Sequence, residues 1–412
     1  MGKNIILFDT AHTKANLLPF TYTRPIGAIR IGIHTIAEKW QQSTEASIQF
    51  WVAEEYLALK YPLNIRDNES YILLQGNIIP NEEIVQTIGK LRIGEGIANN
   101  KGEQIAWHIM GTELEAWKTQ SIKSTIVHSI HSNLIQVNNT YDIFASNDTA
   151  LRQDFERITK NRVSAPIPEG TVAINAENIF IEKGAVITCA ILNASTGPIY
   201  IGKDAEIMEG CKIRGPFALC EHAGLKMDAK IYGATTIGPY CKAGGELNNV
   251  VMFGYSNKGH DGFLGNAVIG EWCNLGADTN NSNLKNTYEE VKLWNYRTER
   301  FERTGLTFCG LMMGDHAKCG INTMFNTGTV VGVGANIFGA GFPRNFIPSF
   351  AWGGAHGFET FQLNKFYKTA EAMCSRRGII FDDTDKQLIA AVFAQSAKHR
   401  FWEKEQTTNP TQ

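Results

Sequence analysis

A six-residue period governs the middle of this chain. From Ile201 the sequence reads IGKDAE, IMEGCK, IRGPFA, LCEHAG, LKMDAK, IYGATT, IGPYCK. The first position is always aliphatic: Ile201, Ile207, Ile213, Leu219, Leu225, Ile231 and Ile237. The fifth is small at Ala205, Cys211, Ala223, Ala229, Thr235 and Cys241, with Phe217 the exception. A helix repeats every 3.6 residues and a half-buried strand every 2, so neither explains a period of six. One flat side of a triangular, left-handed parallel β-helix does, with three such hexads to a coil. The aliphatic residue points into the prism and the small one fits the tight corner.

The period resumes twice. Phe263, Ile269 and Leu275 are spaced as anchors, as are Met313, Cys319, Phe325, Val331 and Ile337, while Ile181 and Ile187 open the series. The β-helix is therefore expected over 165–353. Two interruptions, 244–262 and about 280–307, are expected to project from it as loops, and loops on a rigid scaffold are where chemistry concentrates. The second contains VKLWNYRTERFERTGL, whose spaced aromatics predict a β-hairpin arm packing on a neighbouring subunit.

The flanks differ. Residues 1–160 alternate strand-like runs (NIILFD, SYILLQGNIIP) with helical ones (IAEKW, EEYLALKY), which predicts an α/β domain. SNDTALRQDFERITK reads as a helix capped by Ser146 or Asn147. Residues 354–412 carry two helical patterns, the second capped by Asp382 or Thr384, and end on TTNPTQ, expected to be disordered. The 39 basic and 41 acidic residues, with no long basic run, argue against nucleic acid as a partner. The first apolar run is too short for a signal sequence or a membrane span, and none of about 18 apolar residues follows, so a cytoplasmic protein is expected. Eight cysteines without a C-x-x-C pair read as reduced core thiols.

The candidate site is NKGHDGFLG (257–265) and the turns after it. His260 stands between glycines, and neutral imidazole is the natural base for an ammonium near pH 7. Asn274 and Asn283 fall in the following turns and can converge with it if coils stack. The alternative is a solvated loop histidine with asparagines at corners.

GHDGFLGNAVIGEWCNLGADTNNSN resembles the acetyltransferase segment of the bifunctional N-acetylglucosamine-1-phosphate uridylyltransferase/glucosamine-1-phosphate acetyltransferase family. That segment reads G-H-x-x-[YF]-[LV]-G-D-[AS]-x-[IL]-G, followed by N-[IL]-G-A-G-T. The opening LFD…LLPFTYTRPI resembles a divergent bacterial branch that pairs a sugar-nucleotidyltransferase-like domain with the β-helix. The resemblance implies His260 as catalytic base, Asn274 and Asn283 on the sugar, and Ala277 at acetyl-CoA. It further implies a homotrimer, with acetyl-CoA and a hexosamine 1-phosphate as substrates. Departures from the pattern are Phe263 and Leu284 for tyrosines and Leu219 for a phosphate-holding arginine. Lys226, Lys242, Lys258 and Lys285 remain to bind the phosphate, of which Lys258 and Lys285 lie closest in sequence to the motif residues. In the N-terminal domain the Gly-rich phosphate loop is missing and Asn77 stands where an acid might. Arg24, Arg30 and Lys39 are candidates for the phosphates of UTP or dTTP, and Asp9 and Asn147 for Mg²⁺. Two other readings compete: a sugar-1-phosphate nucleotidyltransferase whose β-helix serves only assembly, and a non-catalytic trimeric scaffold. A metal enzyme using His222, His260 and His316 is disfavoured because no H-x4-H pair occurs.

Overall fold

The computed structural model describes residues 4–403, so the TTNPTQ tail lies outside the described residues. The chain divides into two compact units. One comprises the residues up to Leu17, with Arg24–Ile29 and His34–Asn138. The other comprises Leu18–Thr23, Arg30–Ile33 and everything from Asn139. The boundary expected near residue 160 thus falls inside the second unit. There Leu151, Phe155 and Ile158 of the helix Asn147–Thr159 pack with Ile33, Ala218 and Cys220. Among the described residues no helix is long and apolar enough to cross a membrane.

The first unit is α/β, as expected. Its six-stranded sheet runs in the order Ser47–Trp51, Asn4–Phe8, Ser70–Gln75, Gln104–Met110, Glu95–Ala98, Ile126–Ser129. The continuous apolar run of Asn4–Phe8 reflects its place between two parallel neighbours, with both faces covered. The helix Ile36–Thr44 starts at a capping box, Thr35 and Glu38 each bonding the other's backbone N–H.

The second unit is a parallel β-helix followed by helices. Its inward columns can be read off strand pairing. One runs Ile181, Ile201, Leu219, Ile237, Met252, Ile269, Met313, Val331, Ile347, and every member is in one buried core. A second runs Ile187, Ile207, Leu225, Ala243, Lys258, then Leu275, Cys319, Ile337. A third runs Leu192, Ile213, Ile231, Leu247, Leu264.

Two expectations are corrected by these columns. The 244–262 interruption is no projecting loop but a full coil, with Leu247, Val250 and Met252 in the core. It escapes the six-residue frame because two corners are shortened: Gly244–Gly245 stands where the coil below has four residues, 226–229. Phe263 is not an anchor, because Leu264 takes the inward place and Phe263 is only half-buried. The 280–307 arm is a hairpin, Lys292–Asn295 against Arg300–Arg303, as expected. Part of it packs on its own unit: Trp294 stacks on Phe346 at 4.2 Å, and Tyr296 packs edge-on against Phe346, His399 and Tyr22, while Phe301 stays exposed.

One corner carries an unanticipated column. His222, Tyr240, Tyr255, Trp272 and His316 all sit at φ between 53° and 60° and stack in turn, with centroids 4.4 to 6.3 Å apart. His222 and His316 are therefore parts of a ring stack, on a different corner from His260. All eight cysteines are free, and seven are buried.

Candidate functional site

Above the two-residue corner Gly244–Gly245 stands the four-residue corner Gly259–Gly262, so His260 and Asp261 have no counterpart directly beneath them. A methyl group on Gly244 would meet Gly259 O at 2.7 Å, and one on Gly245 would meet His260 O at 2.9 Å. Gly245 also has φ +76°, so glycine is required there twice over. The result is a notch with an exposed imidazole at its rim. Lys226 borders it, its Cγ 3.9 Å from a methyl group placed on Gly259.

Lys258 does not face this notch. It occupies an inward position in the second column, is fully buried, and its ammonium donates to Gly244 O (3.3 Å), Asp261 O (2.9 Å) and His260 O. Burial lowers its pKa to about 8, partly offset by Asp261. Its role as a phosphate ligand is corrected to that of an internal brace for the His260 corner. Lys285 is likewise turned to its own arm, donating to Glu290 O at 2.8 Å.

On the outer side of the same sheet, Asn274 pairs with Asn257 in the adjacent strand and is exposed. Ala277 lies one coil above His260, since Gly262 beneath abuts the Asp278–Thr279 backbone. His260, Asn274 and Ala277 thus gather around one corner. Asn283 does not join them. It lies beyond the next face of the prism, where its amide donates to Asn266 Oδ1 at 2.8 Å.

The structure adds a residue that sequence reasoning missed. Arg377, just past the helix Leu363–Ser375, donates to Asn257 Oδ1 at 3.2 Å. The Lys242 ammonium is held below its ordinary pKa by burial and by the charges of Lys226 and Arg377, against the opposing pull of Glu206. The Lys242 ammonium itself donates to His222 O at 3.5 Å, on the ring-stack corner, so Arg377 is the cation that meets Asn257 and Lys226 the one beside the His260 corner. No local motif marks Arg377, since it arrives from 120 residues away.

In the first unit, Asp9 ends the first strand and accepts from Ile26 N–H with both oxygens, at 3.1 and 3.2 Å. Burial pushes its pKa up to about 7, against Lys14 and the Ile26 N–H. Phe8, Asp9, Trp51, Trp107 and Trp117 line a cavity of about 450 Å³ there. Asn77 donates to Asn138 Oδ1 at 2.8 Å.

The remaining N-terminal candidates divide between the two units. Asn147 is buried in the other unit. It accepts from Gly32 N–H (2.7 Å) and donates to Ala234 O (2.7 Å) and Thr236 Oγ1 (3.2 Å). Both its polar atoms are occupied, so it is a structural tether and does not fit the expected metal role. Arg30, also in the second unit, spends its guanidinium on Phe253 O (3.0 Å) and Ile33 O. Arg24 and Lys39 belong to the first unit and are buried. Among the described residues no group of three or more His, Cys, Asp or Glu is placed to hold a metal ion. The donors present do not fit the expected Mg²⁺ set of Asp9 and Asn147.

Because the Asp9 pKa is raised, its contribution to stability is fully present below pH 4 and is lost as pH rises towards 7. The Tm difference between wild type and Asp9→Asn is therefore expected to swing in favour of the variant between pH 4 and 7 and to level off above. A constant difference across that range, in melts followed by circular dichroism, would refute the burial of this carboxyl.

Residues 5–163 match the family described as Sugar nucleotidyl transferase. The Bifunctional protein GlmU of Methanocaldococcus jannaschii is 37% identical over 73 residues, which is 18% of this chain and 17% of that protein. The chain therefore matches about a sixth of that relative's length. Among solved structures, the UDP-N-acetylglucosamine acyltransferase of Francisella novicida matches 52% of this chain and 74% of its own, at 13% identity and TM-score 0.30. AntD, an N-acyltransferase from Bacillus cereus solved with dTDP and 3-hydroxybutyryl-CoA, matches 50% and 91%, at 12% identity and TM-score 0.21. At such TM-scores these likenesses identify no activity.

A segment that matches the sugar nucleotidyl transferase family is thus followed by a hexapeptide β-helix. More particularly, the chain is similar over 73 residues to the Bifunctional protein GlmU.

Proposed function

We propose that the β-helix unit is an acetyl-CoA-dependent N-acetyltransferase acting on a hexosamine 1-phosphate, with glucosamine 1-phosphate the first substrate to test. The observation that carries this reading is the notch. It carries an exposed imidazole, His260, with Lys226 bordering the same corner and Arg377 on nearby Asn257, and cations are what a phosphate ester needs. His260 removes a proton from the sugar ammonium, and the freed amine attacks the thioester carbonyl. Collapse of the tetrahedral intermediate breaks the C–S bond, the imidazolium returns its proton to the departing thiolate, and the nitrogen sheds its remaining extra proton to solvent. Asn274 orients the sugar, and Ala277 leaves room for the pantetheine arm one coil above. Lys226 and Arg377 replace Lys258 and Lys285 as the phosphate ligands.

Incubation with acetyl-CoA and glucosamine 1-phosphate, followed by release of free thiol, tests the reading directly. If no thiol is released with any hexosamine 1-phosphate, the reading fails. Arg377→Gln is expected to raise KM for the sugar phosphate about tenfold, the value of one charge-assisted hydrogen bond, with kcat little changed. Glucosamine without the phosphate should not distinguish variant from wild type. An unaltered KM for the phosphate ester would remove Arg377 from the site.

A second activity, nucleotidyl transfer to a sugar 1-phosphate in the first unit, is favoured by the family match over residues 5–163. Pyrophosphate release from UTP or dTTP in the presence of a sugar 1-phosphate and Mg²⁺ tests it, and its absence with both nucleotides would limit the chain to acyl transfer.

A further inference from the structure

A second cavity in the β-helix unit is used by none of the above. It has a volume of about 740 Å³ and lies where the hairpin arm meets the last coils. Its aromatic lining is Trp294, Phe301, Phe346 and Phe401, and its cations are Lys285, Lys292 and Arg344. Among the described residues no acidic side chain lines it, and the rest of the lining is Thr327 and Asn345. Lys292 and Arg344 are exposed, and the Arg344 guanidinium lies 4.9 Å from the Phe401 ring centre. Trp294 is stiffened from behind by Phe346, with the planes only 12° apart. Phe301 stands edge-on to Trp294 and is 43% exposed, a large apolar ring left to solvent at the cavity wall.

Each half of this lining asks for a different part of one ligand. Lys285 is turned to its own arm, where Glu289 lies 3.9 Å from its ammonium, so the exposed Lys292 and Arg344 are the cations that attract an anion, and guanidinium and ammonium groups together suit phosphate oxygens. Exposed aromatic rings on a rigid backing suit a flat heterocycle, because stacking on any base is favourable by about 1–3 kcal/mol. Inorganic phosphate alone would leave the rings exposed, and a neutral aromatic compound would leave the charges unmatched. The volume falls within the usual range for small-molecule sites, roughly 300–1,000 Å³.

We propose that this cavity binds a nucleoside phosphate, with the base against Phe301 and Phe401 and the phosphates between Lys292 and Arg344. The same chemistry is offered by a free nucleotide and by the nucleotide end of a larger cosubstrate. The proposal does not rest on acetyl transfer, since binding is read without turnover.

Isothermal titration of the full chain with ADP, UDP and coenzyme A tests it, with adenosine and inorganic phosphate as partial ligands. At least one of the three should bind saturably, and adenosine or phosphate alone at least tenfold more weakly. Tight binding of coenzyme A only would assign the site to a cosubstrate, and binding of ADP or UDP to a free nucleotide. The double variant Lys292→Gln/Arg344→Gln should weaken binding tenfold or more, and Phe301→Ala severalfold, with melting curves unchanged. Should the double variant melt early, Lys292→Gln alone, on an exposed hairpin position, carries the test. Binding in the variants equal to wild type, or no binding of any of the three at millimolar concentration, would overturn the proposal.

Discussion

His260→Ala is expected to lower acetyl transfer to glucosamine 1-phosphate by about 10²- to 10⁴-fold, the usual contribution of a positioned general base. The fold should not suffer. The side chain is exposed on a corner and belongs to none of the inward columns, and the corner is held through its backbone by Lys258 rather than through the imidazole. The loss should fall on kcat, because the base acts on a proton that moves only in the reaction, and KM for the sugar phosphate should stay close to wild type. His260→Gln separates proton transfer from hydrogen bonding: it keeps polarity but not basicity, and should be nearly as inactive as the alanine variant. Turnover within a factor of about three of wild type in either variant would take His260 out of the chemistry.

Lys258→Met is expected to cost about 2–4 kcal/mol of stability. The reasoning is that each buried carbonyl left without a donor costs about 1–3 kcal/mol, while the desolvation of the ammonium is no longer incurred. Methionine fits an inward column sterically, so lost hydrogen bonds rather than a cavity dominate. The effect should also depend on pH. With the folded-state pKa depressed to about 8 from 10.5, the unfolded chain binds more protons between those values. Wild type therefore gains stability relative to the variant as pH rises from about 8 towards 10.5, and the difference is flat below 8. Acetyl transfer should fall as well, because the corner that presents His260 loses its brace. A variant with wild-type melting and a pH-independent difference would show that this amine is not buried.

The six-residue period was sufficient to predict the β-helix, because an inward column on a parallel coil tolerates only aliphatic or small side chains and the chain supplies them at fixed intervals. It failed where coil length changed. Between Ile237 and Met252 the corners are shortened, so a buried coil reads as an interruption and Phe263 reads as an anchor in place of its neighbour Leu264. The hairpin could be read from its alternation, but not what covers it, since Phe346 and His399 come from later in the chain.

The candidate site divides in the same way. His260 was legible in the sequence because a local motif, glycine-flanked and followed by a returning register, carries it. The lysines were not. Lys258 and Lys226 look equivalent as residues, and strand pairing alone puts one inside the prism and leaves the other beside the notch. Asn147, expected as a ligand from the family resemblance, and Arg30, from its residue type, turn out to satisfy buried backbone groups, a demand that no local sequence displays. Sequence by itself determined the coil and the helices that follow it, because both depend on short-range periodicity. Which cations border the candidate site, and that Arg377 is one of them, only the tertiary structure decided, because charges are brought there through stacking of coils and the return of a distant helix rather than through order along the chain.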